Sequence, residues 1–157
     1  MNSATAWLLD LDGTLRAAVG EQEMTHFIPA PELHPVPLSP VYCNEVLIWQ
    51  DNIVPVLDLA AWLHDSPVNR RQSVVGIIVY QESPGAPTHF GALHLANVPN
   101  RVQVTDEQSC DLPEQPVRWQ EVAISCFADA QGAVPILDLG YIFSNALLAT
   151  TQSTSLA

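Results

Sequence analysis

The chain has 157 residues, of which 17 are acidic, five are Arg and none is Lys, for a formal net charge of −12. That balance argues against nucleic acid as a partner, because such binding rests on cationic neutralisation of phosphates. It argues equally against docking on an anionic membrane surface. Hydrophobic residues make up 48% of the sequence, enough to build the core of one ordinary domain or of two small subdomains sharing one. The longest apolar run, around residues 74–80, has the length of a strand, so no membrane insertion is expected. The N-terminal stretch lacks the basic and apolar regions of an export signal. Cys43, Cys110 and Cys126 are odd in number and far apart in the sequence. They read as buried thiols in a reducing compartment, not as a disulfide framework or a zinc site, and the expected location is the cytoplasm.

Residues 6–11 (Ala-Trp-Leu-Leu-Asp-Leu) form a short apolar strand. Asp12-Gly13 predicts a type I′ hairpin turn, with residues 14–19 as the returning strand. Residues 20–27 predict a short helical turn with Met24 and Phe27 inward. Five prolines between Pro29 and Pro40 fix an irregular extended crossover. Its apolar residues, Ile28, Leu33, Val36, Leu38 and Val41, suggest that it packs down. Residues 46–49 and 53–57 are strands around the turn Gln50-Asp51-Asn52. A first helix ends near Pro67. Residues 74–82 and 88–96 form a strand pair around the turn 83–87. Residues 97–116 read as polar connection, anchored only by Val98, Val102 and Val104. Residues 121–127 and 133–137 form a last hairpin before a C-terminal helix. Residues 150–157 read as a disordered tail.

One stretch occurs twice. Val54-Pro55-Val56-Leu57-Asp58-Leu59 returns 80 residues later as Val134-Pro135-Ile136-Leu137-Asp138-Leu139. Each copy reads as a strand running into a helix. Proline suits an edge or irregular strand position, since it cannot donate to a ladder. Asp58 and Asp138 fall where an N-cap accepts from free helix N–H groups. After Asp58, Leu59, Trp62 and Leu63 keep helical spacing. After Asp138 the stripe runs through Leu139, Ile142, Phe143, Ala146 and Leu147. Short strands, frequent turns and two short helices make a mostly-β barrel or sandwich, and the repeat favours two similar small barrels.

Candidate chemistry is sparse. Asp10-Leu11-Asp12-Gly13-Thr14 has the letters of the haloacid-dehalogenase-like phosphatase signature, whose two Asp side chains act as nucleophile and acid/base beside magnesium. The rest of the chain lacks the downstream Lys, the later acidic cluster and the crossover helices that this chemistry needs. A strand ending in a turn explains the same letters. The five His residues are scattered, and His89 and His94 fall on opposite faces of one strand. No cofactor is expected.

Three stretches together resemble the CheW-like domain of bacterial chemotaxis adaptors. They are Pro35-Val36-Pro37-Leu38-Ser39-Pro40, Val46-Leu47-Ile48-Trp49, and Ile53-Val54-Pro55-Val56-Leu57-Asp58-Leu59. Phe90-Gly91-Ala92-Leu93-His94-Leu95 is similar to a central strand of the family, and residues 133–143 to its closing segment. The resemblance implies a domain over residues 1–149, built of two packed SH3-like five-stranded barrels with short helices, one of them C-terminal. It implies no catalysis. It implies bridging of chemoreceptors to a CheA-type histidine kinase through exposed apolar surface. The turn that carries Arg-Gly in the family reads Gln50-Asp51 here, and its central Asp falls near Ala96-Asn97. These departures point to a divergent adaptor, in a pilus-driven or other non-flagellar array, or to a related module binding a different regulator. The residues expected to touch a partner are Leu47, Trp49, Gln50, Asp51 and Asn52.

Overall fold

The computed structural model describes residues 3–81 and 83–143. In chain order its elements are β1 (Ser3–Asp10), β2 (Arg16–Gly20), β3 (Met24–Pro29), β4 (His34–Pro35), β5 (Glu45–Trp49), β6 (Asn52–Leu57) and α1 (Leu59–His64). There follow β7 (Val74–Tyr80), β8 (His89–Leu95), β9 (Asn100–Thr105), α2 (Trp119–Val122), β10 (Ala123–Asp129), β11 (Gly132–Leu137) and α3 (Leu139–Ile142). Ala146, Leu147 and the expected tail 150–157 lie outside the described residues.

The strands make two curled sheets, each a small barrel of the SH3-like kind. One has the order β10-β11-β2-β1-β9, the other β3-β7-β8-β6-β5-β4. The second gains a sixth strand, the two-residue β4, where five were expected. The chain begins in the first sheet, completes the second, and returns to finish the first.

The duplicated stretch is the shared plan of the two barrels. β6 and β11 each lie between an antiparallel neighbour and a parallel one. Of the two expected positions, edge or irregular, neither proline is on an edge strand. The parallel pairing begins one residue later, at Val56 and Ile136, so the missing donor falls where the ladder is still one-sided. Asp58 and Asp138 have nearly equal backbone angles, φ −93° with ψ 87° and 88°. Each carboxylate accepts from the third helical N–H, Ala61 at 3.1 Å and Tyr141 at 3.2 Å. Both are helix caps, as the sequence predicts.

Packing divides into three clusters. The largest lies between the sheets and takes Leu9, Ala17 and Val19 from one, Leu57, Val74, Ile78, Leu93 and Leu95 from the other, and Trp62, Trp119 and Ile142 from the helices. A smaller cluster fills the second barrel around Leu47, Val54 and Ile77. Another fills the first around Ala18, Phe127 and Val134. Gly91 is fixed by this packing, because a Cβ there would lie 2.6 Å from the Phe143 ring.

Several expectations are corrected. β1 and β2 are joined by a five-residue loop, not by a type I′ turn, since Asp10 pairs with Arg16 and only Gly13 has positive φ. Met24 is buried, but Phe27 is 38% exposed, because residues 24–29 form a strand and not a helical turn. In the proline-rich crossover Ile28 and Leu33 pack down, whereas Val36, Leu38 and Val41 are exposed. β9 falls within the stretch 97–116 expected to be connection, yet it pairs along β1 from Thr105 to Asn100, and Glu121 and Val122, expected to open a strand, belong to α2. Cys110 and Cys126 are not apart in space: their Sγ atoms are 3.3 Å from each other.

Candidate interaction surface

The β5–β6 hairpin presents an exposed apolar face on the second barrel. Its register pairs Val46 with Pro55, Leu47 with Val54, Ile48 with Ile53 and Trp49 with Asn52. Side chains alternate between faces along each strand. Leu47 and Val54 point into the barrel, at 3% and 1% exposure. Val46, Ile48, Ile53 and Pro55 therefore share the outer face as two adjacent cross-strand pairs. Ile48 is 64% exposed and Ile53 75%. The edge strand β4 places His34 beside Val46, and Leu38 in the following loop is almost wholly exposed. Ile48 and Ile53, pointing at water, contribute nothing to the barrel's own core, and exposed apolar patches mark interaction sites.

Two residues close the hairpin, Gln50 and Asp51, with φ of 49° and 67°. Positive φ at both central positions is the type I′ geometry, whose usual occupants are Asn and Gly. The Asn52 side-chain amide donates to the Gln50 carbonyl at 3.1 Å and steadies the turn. Gln50, Asp51 and Asn52 are all exposed. Trp49 is half-buried on the inner side, its ring 4.7 Å from the His26 ring. Leu47 is core and offers no contact surface. The exposed pair Ile48 and Ile53 was not singled out from the sequence, although the alternation that puts Leu47 inside puts them outside.

The Asp10-x-Asp12 stretch is committed to loop structure. Asp10 accepts from the Gly13 N–H at 2.7 Å and from the Asn97 amide at 2.6 Å. Asp12 accepts from the N–H groups of Thr14 and Leu15 and from the Thr14 hydroxyl, with His64 Nε2 at 3.1 Å. Burial is the largest single influence on Asp12 and pushes it upward. The N–H groups of Leu15 and Thr14, the Thr14 hydroxyl and His64 together outweigh burial and hold it below the usual carboxylate range. Among the described residues no three His, Cys, Asp or Glu side chains converge as a metal site.

Asp58 does more than cap. Arg70 grips its two oxygens at 2.8 and 2.7 Å and donates through Nε to the Leu11 carbonyl at 2.8 Å. The Arg70 side chain is only 4% exposed, so this fork ties the β1–β2 loop of one barrel to the helix of the other. Arg118 donates to the Trp62 carbonyl at 2.6 Å and lies over its ring, binding the other end of α1 to the α2 side. His94, bonded to the Ser73 hydroxyl at 2.6 Å, is held below its usual pKa mainly by burial, with Arg70 adding to the effect.

The two barrels share one core and leave the apolar hairpin face at the surface. The chain belongs to the CheW-like domain family, whose model matches residues 8–147. Among solved structures it is similar to the scaffolding protein TtCheW from Thermoanaerobacter tengcongensis, with a TM-score of 0.72 over 92% of this chain and 90% of that one. Sequence identity is 12%, so this likeness speaks for the fold. No curated protein matches. Among the described residues no helix is long and apolar enough to cross a membrane.

Proposed function

We propose that this protein is a non-catalytic adaptor that joins sensory receptors to a CheA-type histidine kinase, or to a divergent equivalent, in the cytoplasm. The observation that carries the reading is the outer face of the β5–β6 hairpin, with Ile48 and Ile53 exposed as a cross-strand pair. Protein interfaces draw most of their energy from a few such anchors, while charge chooses among partners. Gln50, Asp51 and Asn52 rim the patch, and Trp49 supports it from within. Asp51 brings an anion to a turn where the family carries a cation. The partner is therefore more basic at this contact than a standard chemotaxis kinase, which fits a non-flagellar array.

Titration calorimetry with the regulatory domain of a standard chemotaxis kinase, and with that of a pilus-type kinase, tests the reading. The unaltered chain should bind the second and bind the first weakly or not at all, with affinity falling as salt rises. Ile48→Ser with Ile53→Ser should abolish binding while leaving the melting temperature nearly unchanged, because both side chains already face water. Replacing Gln50-Asp51 by Arg-Gly should raise affinity for the standard kinase domain. Binding unaffected by the double serine variant would move the contact away from the hairpin. Absence of binding to both kinase domains would favour a module serving a different regulator.

A further inference from the structure

The connection between β9 and α2 runs back along β10. The Gln108 side-chain amide donates to the Ala128 carbonyl at 3.1 Å, Ser109 forms an antiparallel bridge with Phe127, and the Cys110 N–H donates to the Cys126 carbonyl at 3.1 Å. This register sets Cys110 directly opposite Cys126. Their thiols touch, with Sγ atoms 3.3 Å apart. A disulfide needs about 2.05 Å between the sulfurs and side chains aimed at one another. Directly opposed residues on paired strands start close to that arrangement, so a small approach of the connection completes it. The family resemblance assigns no role to either residue.

We propose that Cys110 and Cys126 form a reversible disulfide, an oxidation site that clamps the connection between β9 and α2 onto β10. The oxidant is a low-molecular-weight disulfide such as oxidised glutathione. Cys110 is half-buried and Cys126 is 3% exposed, so Cys110 is the sulfur the oxidant can reach. Burial, followed by the contact with Cys110 and the nearby Asp111 carboxylate, pushes the Cys126 thiol up to about 12, while the Val134 N–H opposes the shift. Cys126 is thus the weaker first attacker. The Cys110 thiolate attacks one sulfur of the oxidant, forming a mixed disulfide and releasing one small thiolate. Cys126 then loses its proton to solvent and attacks the Cys110 sulfur, expelling the second small thiolate. Two protein thiols are oxidised and one small disulfide is reduced to two thiols. The ring so closed contains Arg118, which holds α1, and Trp119, 1% exposed in the core between the barrels. Cross-linking restrains this segment in the unfolded chain and should raise stability.

The full reduced chain is equilibrated with mixtures of reduced and oxidised glutathione, then alkylated and weighed intact. One of three thiols, Cys43, should remain alkylatable under oxidising conditions, with Cys110 and Cys126 cross-linked in the peptide map. The oxidised chain should melt about 5 °C above the reduced one. Cys43→Ser should keep the cross-link. Cys110→Ser should lose both the cross-link and the stability gain; Cys126→Ala serves as the second variant should the first fold poorly. Three alkylatable thiols throughout the series, a cross-link involving Cys43, or glutathione retained on Cys110 would overturn the disulfide. A cross-link without a rise in melting temperature would overturn the clamp.

Discussion

Asp58 and Asp138 occupy equivalent caps at the two copies of one sequence, yet their loss should not cost the same. Asp138→Ala removes a cap and should destabilise by about 0.5–2 kcal/mol, most of which Asn restores because its oxygen also accepts. Asp58→Ala also strands Arg70, 4% exposed and held by both carboxylate oxygens. Breaking a buried pair from one side costs about 3–5 kcal/mol, so this variant should be markedly the weaker. Asn at position 58 should not rescue it, since the cap returns without the charge. Urea midpoints of the four variants measure the difference; equal losses at the two sites would show that Arg70 finds another partner. The caps were legible in the sequence because a cap is local, adjacent to the helix it serves and three residues from the N–H it accepts. Arg70 was not, because only the fold brings it back across 12 residues to Asp58 and across 59 to Leu11.

Hairpins show the same division between local signals and tertiary ones. Asp12-Gly13 has the letters of a type I′ turn, but the buried Leu11 and the three bonds to the Asp12 carboxylate favour a wider loop. Gln50-Asp51 lacks those letters and adopts the geometry, because inward Leu47 and Val54 fix the register and leave two residues to turn. β9 escaped reading because Val102 and Val104 are few among polar residues; its partner β1 supplies what its own composition does not. The β10–β11 hairpin is tied to β2 by Arg16, whose guanidinium bonds Asp129 at 2.6 and 2.9 Å. That bond, chiefly, lowers the Asp129 carboxyl from 3.8 to about 2. A depressed folded-state value means that the contribution is fully present above about pH 4 and is lost as pH falls towards 2. Arg16→Met should therefore cost about 1 kcal/mol at neutral pH, the order expected of a partly exposed pair. The cost should shrink between pH 4 and pH 2, as read from urea unfolding at each pH. A constant difference across that range would assign the cost to lost packing of the arginine stem.

Across the whole molecule, the two barrels are joined by more than contact. The main core lies between them and draws on both sheets, while each keeps only a small cluster of its own. Leu93, 1% exposed, belongs to the shared core although it stands on the second barrel's β8. Leu93→Ala should cost about 2–5 kcal/mol. Amide exchange should then quicken in both sheets together, within a single unfolding transition; loss confined to one sheet would mean that the barrels unfold separately. Charge is also arranged at this scale. Four of the five arginines are engaged: Arg16 and Arg70 with aspartates, Arg101 over Trp7 and Arg118 over Trp62. The acidic residues greatly outnumber them, so the protein meets a partner as an anion, and its association with a basic partner should slow as salt screens that field.

The order of the strands sets a timetable for synthesis. β1 and β2 leave the ribosome ahead of the rest of their sheet, and β9, the next strand of that sheet, begins 80 residues after β2 ends. At roughly 5–20 residues per second, that interval lasts several seconds. The second barrel, residues 24–95, is complete before it is over. A two-stranded hairpin is barely stable alone, but Leu9, Ala17 and Val19 already face the surface that the finished barrel offers. On that order the first barrel should assemble on the finished second one as a template, so that the apolar face joining them first shelters an unfinished sheet.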